Sequence, residues 1–200
     1  GAFEIERAVR EISETNVGNR NLEVLPLYSS LTDADQKKIF DPSTKRRVIC
    51  ATNIAETSIT LPKITAVVDS GWGKVMRTDP QMGEDRLETL RISRASSEQR
   101  AGRAGRVSAG ICYRLWTEAE QMQLRNFETP EVHRVNLSKA ILFLADYGVT
   151  NFEKFSWFDL PKSSMLQWAF RELTQFGFLK EGKITERGRT ALRFPLSPKF

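Results

Sequence analysis

Val48-Ile49-Cys50-Ala51-Thr52-Asn53-Ile54-Ala55-Glu56-Thr57-Ser58-Ile59-Thr60 begins as an unbroken apolar run and turns, at Thr52, into a hydroxyl-rich connection. A short continuous apolar run rich in β-branched residues predicts a strand covered on both faces, as parallel sheets require. Three further runs share this character, at 24–27, 66–69 and 111–116. Ile5, Ala8, Val9 and Ile12 follow the spacing of one helical face and predict a helix over 2–14, ended by Gly18, Asn19 and Asn21. A second helix is predicted over 33–40, with Thr32 as N-cap and Asp41-Pro42 as its stop. Strands alternating with helices mean an α/β fold around a parallel sheet. In such sheets ligands sit beyond the carboxyl ends of the strands, where 52–60 falls. The connection reads equally as an ordinary strand-to-helix turn with N-caps or as a holder of phosphate through hydroxyls and backbone N–H groups. No strand precedes the first helix, so the chain is expected to begin inside a larger domain.

Between 71 and 93 the pattern changes to alternation (Val75, Leu87, Leu90, Ile92) around a turn at 80–83, which predicts a β-hairpin. From about residue 129 helix takes over. Leu137, Ile141, Leu142, Leu144 and Ala145 line one face before Tyr147-Gly148, and Leu166, Phe170, Leu173 and Phe176 line a second helix over 164–176. Phe178-Leu179, a charged turn over 180–183 and Ile184 then suggest a small wing, so this part reads as a winged-helix module. Pro195 and Pro198 break regular structure at the tail.

The composition supports a packed protein and is compatible with an anionic partner. Of 200 residues, 40% are hydrophobic, with twelve Phe and four Trp, enough apolar material to escape disorder. Thirty Lys plus Arg against 25 Asp plus Glu leave +5, compatible with a polyanion. The longest apolar stretch, 140–145, falls far below the ~18 residues of a membrane span, and no basic-then-apolar leader is present. Membrane insertion and secretion are not expected. Cys50 and Cys112 each sit in an apolar run that reads as core, and a reducing cytoplasm is the expected compartment.

The densest chemical signal is Gln99-Arg100-Ala101-Gly102-Arg103-Ala104-Gly105-Arg106, with Ser96 or Ser97 available as cap. At helical spacing Arg100, Arg103 and Arg106 share a face and converge on one anion, while the glycines admit a close neighbour. Arginine forks bind phosphate oxygens in pairs and stay charged when desolvated. A solvated basic helix has the same spacing, but two glycines inside a helix cost ~1 kcal/mol each and need a reason. No G-x-x-x-x-G-K-[ST] loop is present, and two cysteines with one histidine make no zinc site. His133 reads as a surface or capping residue at a helix start. Trp157-Phe158 and Trp168 read as core anchors.

Taken together, 51–60 and 99–106 resemble motifs V and VI of the DEAH/RHA helicases of superfamily 2, Gln99 favouring this branch over the DEAD-box one. Leu25-Pro26-Leu27-Tyr28-Ser29-Ser30-Leu31, Lys38-Ile39-Phe40-Asp41-Pro42, Pro130-Glu131-Val132-His133-Arg134 and Phe194-Pro195-Leu196-Ser197-Pro198 extend the resemblance over nearly the whole chain, nearest to bacterial members. It implies a second RecA-like domain over 1–124, incomplete at its start, a winged helix over 125–187, and the start of a ratchet-like helical domain over 188–200. The hairpin at 71–93 would help separate strands. Arg103 and Arg106 take the positions of arginine fingers, and Gln99 lies near the γ-phosphate and attacking water. Phe40 matches the aromatic that stacks on adenine. Thr57 and Arg100 belong to the nucleotide side, and Thr52, Asn53 and Ser29 to the nucleic-acid backbone. ATP and Mg²⁺ would be held mainly by a first RecA-like domain absent from this chain, which is also its expected partner, together with single-stranded nucleic acid, RNA first. Pro62-Lys63 stands where many relatives carry an acid and a glycine, so the carboxylate contact to the ribose that the resemblance implies is left open at this point. The chain alone is expected to hydrolyse negligible ATP. The rival expectations are a non-catalytic nucleic-acid-binding adaptor and a ribonucleoprotein remodeller that does not unwind processively.

Overall fold

The computed structural model describes residues 1–16, 18, 21–79, 85–106 and 108–194. The turn expected at 80–83, Asn19 and the proline tail from Pro195 lie outside them. The chain forms two units, Gly1–Lys74 with Thr89–Glu128, and Val75–Glu88 with Thr129–Phe200.

In the first unit, α1 (Ala2–Thr15) turns Ile5, Ala8, Val9 and Ile12 inward to half-buried positions, the face that the spacing predicts. Next, β1 (Leu22–Leu27) pairs in parallel with β2 (Arg46–Ala51), Leu27 opposite Ala51. Between them α2 (Asp33–Phe40) starts on Thr32, whose hydroxyl accepts from Asp35 N–H at 3.2 Å, a cap worth ~1 kcal/mol. A single turn, α3 (Ile54–Thr57), follows β2. A second parallel pair joins β3 (Ala66–Asp69) to β6 (Ile111–Arg114). The hairpin strands β4 (Trp72–Thr78) and β5 (Asp85–Arg91) pair with each other, as the alternation predicts. After them come α4 (Arg94–Ala101) and, beyond β6, α5 (Glu118–Gln123), opened by a capping box between Thr117 and Glu120.

The β3–β6 pair is parallel, but not covered on both faces. Pleating sends Val68, Ile111 and Tyr113 to one side of the β3–β6 pair, where each is half or more exposed, while Val67 and Cys112 are half-buried on the other. An apolar run cannot report this, because it carries no alternation to mark an open face. The thiols of Cys50 and Cys112 are likewise only partly buried.

The second unit is helical. Its helices are α6 (Ser138–Asp146), α7 (Ser163–Gln175) and α8 (Glu186–Leu192), the last running across residues 187 and 188. The antiparallel pair β7 (Leu179–Lys180) and β8 (Lys183–Ile184) precedes α8. Glu181 and Gly182 both have positive φ, as a two-residue turn between twisted strands requires. Leu137, Ile141, Leu142, Ala145, Leu166, Leu173, Phe178 and Leu179 form the core with Phe152 and Ala169. Leu144, Phe170 and Phe176 pack at its edge. Trp157 and Trp168 also pack there, but Phe158 is fully exposed and anchors nothing. His133 closes a short 3-10 turn (Glu131–His133) rather than opening a helix, and its Nδ1 is buried. No helix among the described residues is long and apolar enough to cross a membrane.

Candidate functional site

The arginine row is placed by a helix that begins and ends earlier than the spacing suggests. Ser93, not Ser96 or Ser97, is the cap: its Oγ accepts from Ser96 N–H at 3.1 Å, and the other two serines are buried within α4. Ser93 N–H in turn donates to Glu128 Oε1 at 2.7 Å. The helix stops at Ala101. Past it the chain continues in tight i to i+3 turns, Arg103 N–H to Arg100 O and Ala104 N–H to Ala101 O, both 3.1 Å. Gly102 and Gly105 therefore sit after the helix, and none of the described residues approaches the space a Gly105 side chain would take. Close approach forces a glycine instead at Gly110, whose Cβ would collide with the Ala104 carbonyl.

Arg100 stays on the last turn of α4 while Arg103 and Arg106 lie past it, and the three reach different parts of 56–60 instead of one point. Arg100 donates through Nε to Glu56 Oε2 at 2.9 Å and through Nη1 to Asp69 Oδ1 at 3.0 Å and Trp72 O at 3.1 Å. Arg103 donates to Ile59 O at 3.2 Å and to Glu56 O. Arg106, exposed, donates to Thr60 Oγ1 at 2.9 Å. Burial first, and the Arg106 charge second, hold the Arg103 guanidinium below the usual arginine range, yet an arginine remains charged at neutral pH. Gln99 is exposed on the last turn of α4.

The parallel register of β1 and β2 brings the other polar candidates to one edge. Ser29 lies in the turn just beyond Leu27, and Thr52 and Asn53 just beyond Ala51. Thr52 N–H donates to Leu27 O at 3.0 Å, tying the two carboxyl ends together. Ser29, Asn53 and Thr57 are exposed there, Thr57 closing α3 beside the Glu56 carbonyl that Arg103 engages. Phe40 is not brought to this edge. It ends α2, before β2 begins, and is 46% exposed. Lys63 has φ +53, the left-handed backbone that a glycine takes more readily.

Asp69 is the functional-site residue that sequence reasoning missed. It is 3% exposed, accepts from Gly71 N–H at 3.0 Å as well as from Arg100, and fastens the arginine row to the end of β3. The available signal was a lone acid closing an apolar strand just ahead of Gly71. Trp72 finds its partner in Arg91, whose guanidinium sits 4.5 Å from the ring centroid.

The helicase conserved C-terminal domain family matches residues 4–108. Among curated proteins, the ATP-dependent RNA helicase HrpA of Borreliella burgdorferi is 38% identical over 99% of this chain, which spans 24% of that protein. The HrpA of Escherichia coli is 34% identical over 98% of this chain and 16% of its own length. Among solved structures, the DEAH/RHA helicase HrpB of Escherichia coli superposes with a TM-score of 0.85 at 36% identity, covering 96% of this chain and 24% of that one. The chain thus spans a quarter or less of these relatives. A parallel α/β unit whose Gln99–Arg106 row is bonded to the segment after β2, matched by this family over more than half of its residues, places the chain in the helicase conserved C-terminal domain family.

Proposed function

We propose that this chain is the second RecA-like domain, followed by a winged helix and the first residues of a ratchet-like domain, of a DEAH-type helicase that couples ATP hydrolysis to movement along single-stranded RNA and to strand separation. The observation that carries the reading is the set of hydrogen bonds from Arg100, Arg103 and Arg106 to residues 56–60 and Asp69. It lets one segment answer to both phosphate charge and nucleic acid. Arg103 and Arg106 act as fingers on the charge that develops as the γ-phosphoryl group leaves, Gln99 orients the attacking water, and Thr57 reports the nucleotide. Arg100, committed to two carboxylates, holds the row in place on the nucleotide side. Thr52, Asn53 and Ser29 contact phosphodiesters at the carboxyl edge of β1 and β2. Such contacts fix register without reading bases.

Phe40 presents a half-exposed ring for adenine. ATP fits this chain through that ring and the two finger arginines, and its phosphates with Mg²⁺ belong to a first RecA-like domain, the partner across the nucleotide. RNA is favoured over DNA because the HrpA relatives are RNA helicases by name. The two free thiols suit a reducing cytoplasm. In a helicase carrying this segment with its nucleotide-binding first domain, Arg103→Ala lowers RNA-stimulated ATP turnover by about 10³-fold. An unchanged kcat removes the finger assignment. The 200-residue chain alone shows no turnover in the same assay; robust turnover overturns the division of labour.

A further inference from the structure

The end of α2 poses a hydrogen-bonding problem that its own sequence cannot solve. The last carbonyls of a helix have no intrahelical donors, and the usual remedy is an N–H from the residues just past the end. Asp41 N–H serves Lys37 O at 3.1 Å. Pro42, next in line, has no N–H to give. The donor comes instead from the neighbouring strand: Arg47 Nη1 donates to Ile39 O at 2.9 Å and to Asp41 O at 2.7 Å. These are the carbonyls on either side of Phe40. The guanidinium is itself held by Glu23, its register partner on β1, through Nε to Oε2 at 2.6 Å. Its side chain is 19% exposed, so the fork is largely withdrawn from water.

Positive charge at a helix C-terminus is also favoured by the helix dipole, but charge alone does not make this arrangement. One planar group meets two carbonyls and a carboxylate at once, which a flexible ammonium cannot reproduce. Ile39, 1% exposed, anchors the turn from inside, while Phe40 stays 46% exposed outside it.

We propose that Arg47, oriented by Glu23, is a positioning residue that clamps the backbone on both sides of Phe40 and so presents its ring for stacking on the nucleotide base. The inference rests on the reading of Phe40 as the base-stacking residue. The test uses the helicase carrying both RecA-like domains and compares Arg47→Ala, Arg47→Lys, Phe40→Ala and the Phe40→Ala/Arg47→Ala double variant. Two quantities are measured, KM and kcat for ATP, and inhibition by inorganic tripolyphosphate, which has the phosphates but no base.

Arg47→Ala is expected to raise KM for ATP about five- to tenfold with kcat changed less than twofold. Tripolyphosphate inhibition should stay the same. Arg47→Lys should resemble Arg47→Ala, and the double variant should be no worse than Phe40→Ala alone. If Phe40→Ala leaves KM unchanged, the stacking reading fails and the clamp falls with it. If Phe40→Ala raises KM while folded Arg47→Ala does not, or if the two effects multiply, the stacking reading stands and the clamp is overturned. Equal weakening of ATP and tripolyphosphate assigns Arg47 to general stability and also overturns it. Should Arg47→Ala fail to fold, Glu23→Gln, which loosens the guanidinium without removing it, is expected to give a smaller rise in KM of the same selectivity, and no rise overturns the proposal.

Discussion

Around its arginine row the first unit buries Asp69, Ser93, Ser96 and Ser97, with Arg100 and Glu56 each less than one-fifth exposed beside them. The second unit buries a continuous cluster of apolar side chains, beside which Ser138 donates to Glu172 and His133 Nδ1 is buried without a hydrogen-bond partner among the described residues. In a polar network any unpaired buried group keeps its full desolvation cost, as Asp69 Oδ2 does here, buried with no hydrogen-bond partner among the described residues. Apolar packing instead degrades in proportion to the volume removed. The unit that carries the proposed phosphate site is therefore held by interactions that are lost when one partner is lost, and the other unit by packing that weakens by degrees.

The sharpest way to break this contrast is Asp69→Ala. Removing one partner of a buried pair leaves Arg100 charged with only part of its set, and a loss of about 3–5 kcal/mol is expected in urea unfolding followed by circular dichroism. A loss below ~1 kcal/mol would mean that charge does not hold the first unit together. Leu173→Ala, at a fully buried position on α7, should cost about 2–5 kcal/mol by the same measurement. Its cost should be unaffected by combination with Asp69→Ala, since sites that share no partner add.

These two positions differ greatly in how far the sequence revealed them. Leu173 stands on an apolar stripe whose partners are three and four residues away, so periodicity alone marks it as core. The partner of Asp69 is 31 residues distant, and nothing in the spacing joins them. The same divide runs through the rest of the fold. Thr32 and the helix it opens were legible because a cap and a stop are local chemistry. The arginine row was legible as chemistry but not as geometry: helical spacing aligned three side chains that the turns after Ala101 send to different atoms. Phe158 was misread for the opposite reason, since an aromatic beside a tryptophan carries no mark of which one faces water.

Smaller effects refine the comparison. Ser93→Ala removes the cap of α4 and should cost ~1 kcal/mol, read as a shift in the urea midpoint; a cost near zero would place the helix start elsewhere. Phe158→Ser, at a fully exposed position in the apolar unit, should change stability by no more than about 0.5 kcal/mol. A larger loss would show that the core of the second unit extends beyond its buried cluster.

The hairpin gives the chain a schedule. Its outer part, Val75–Glu88, belongs to a unit whose remaining residues start only at Thr129. At roughly 5–20 residues per second, a ribosome leaves that piece waiting some seconds for about forty more residues before its companions exist. During that interval Met76 and Leu87, exposed even in the finished fold, sit on strands with unpaired edges. Synthesis rate and chaperone access across 89–128 therefore bear on yield.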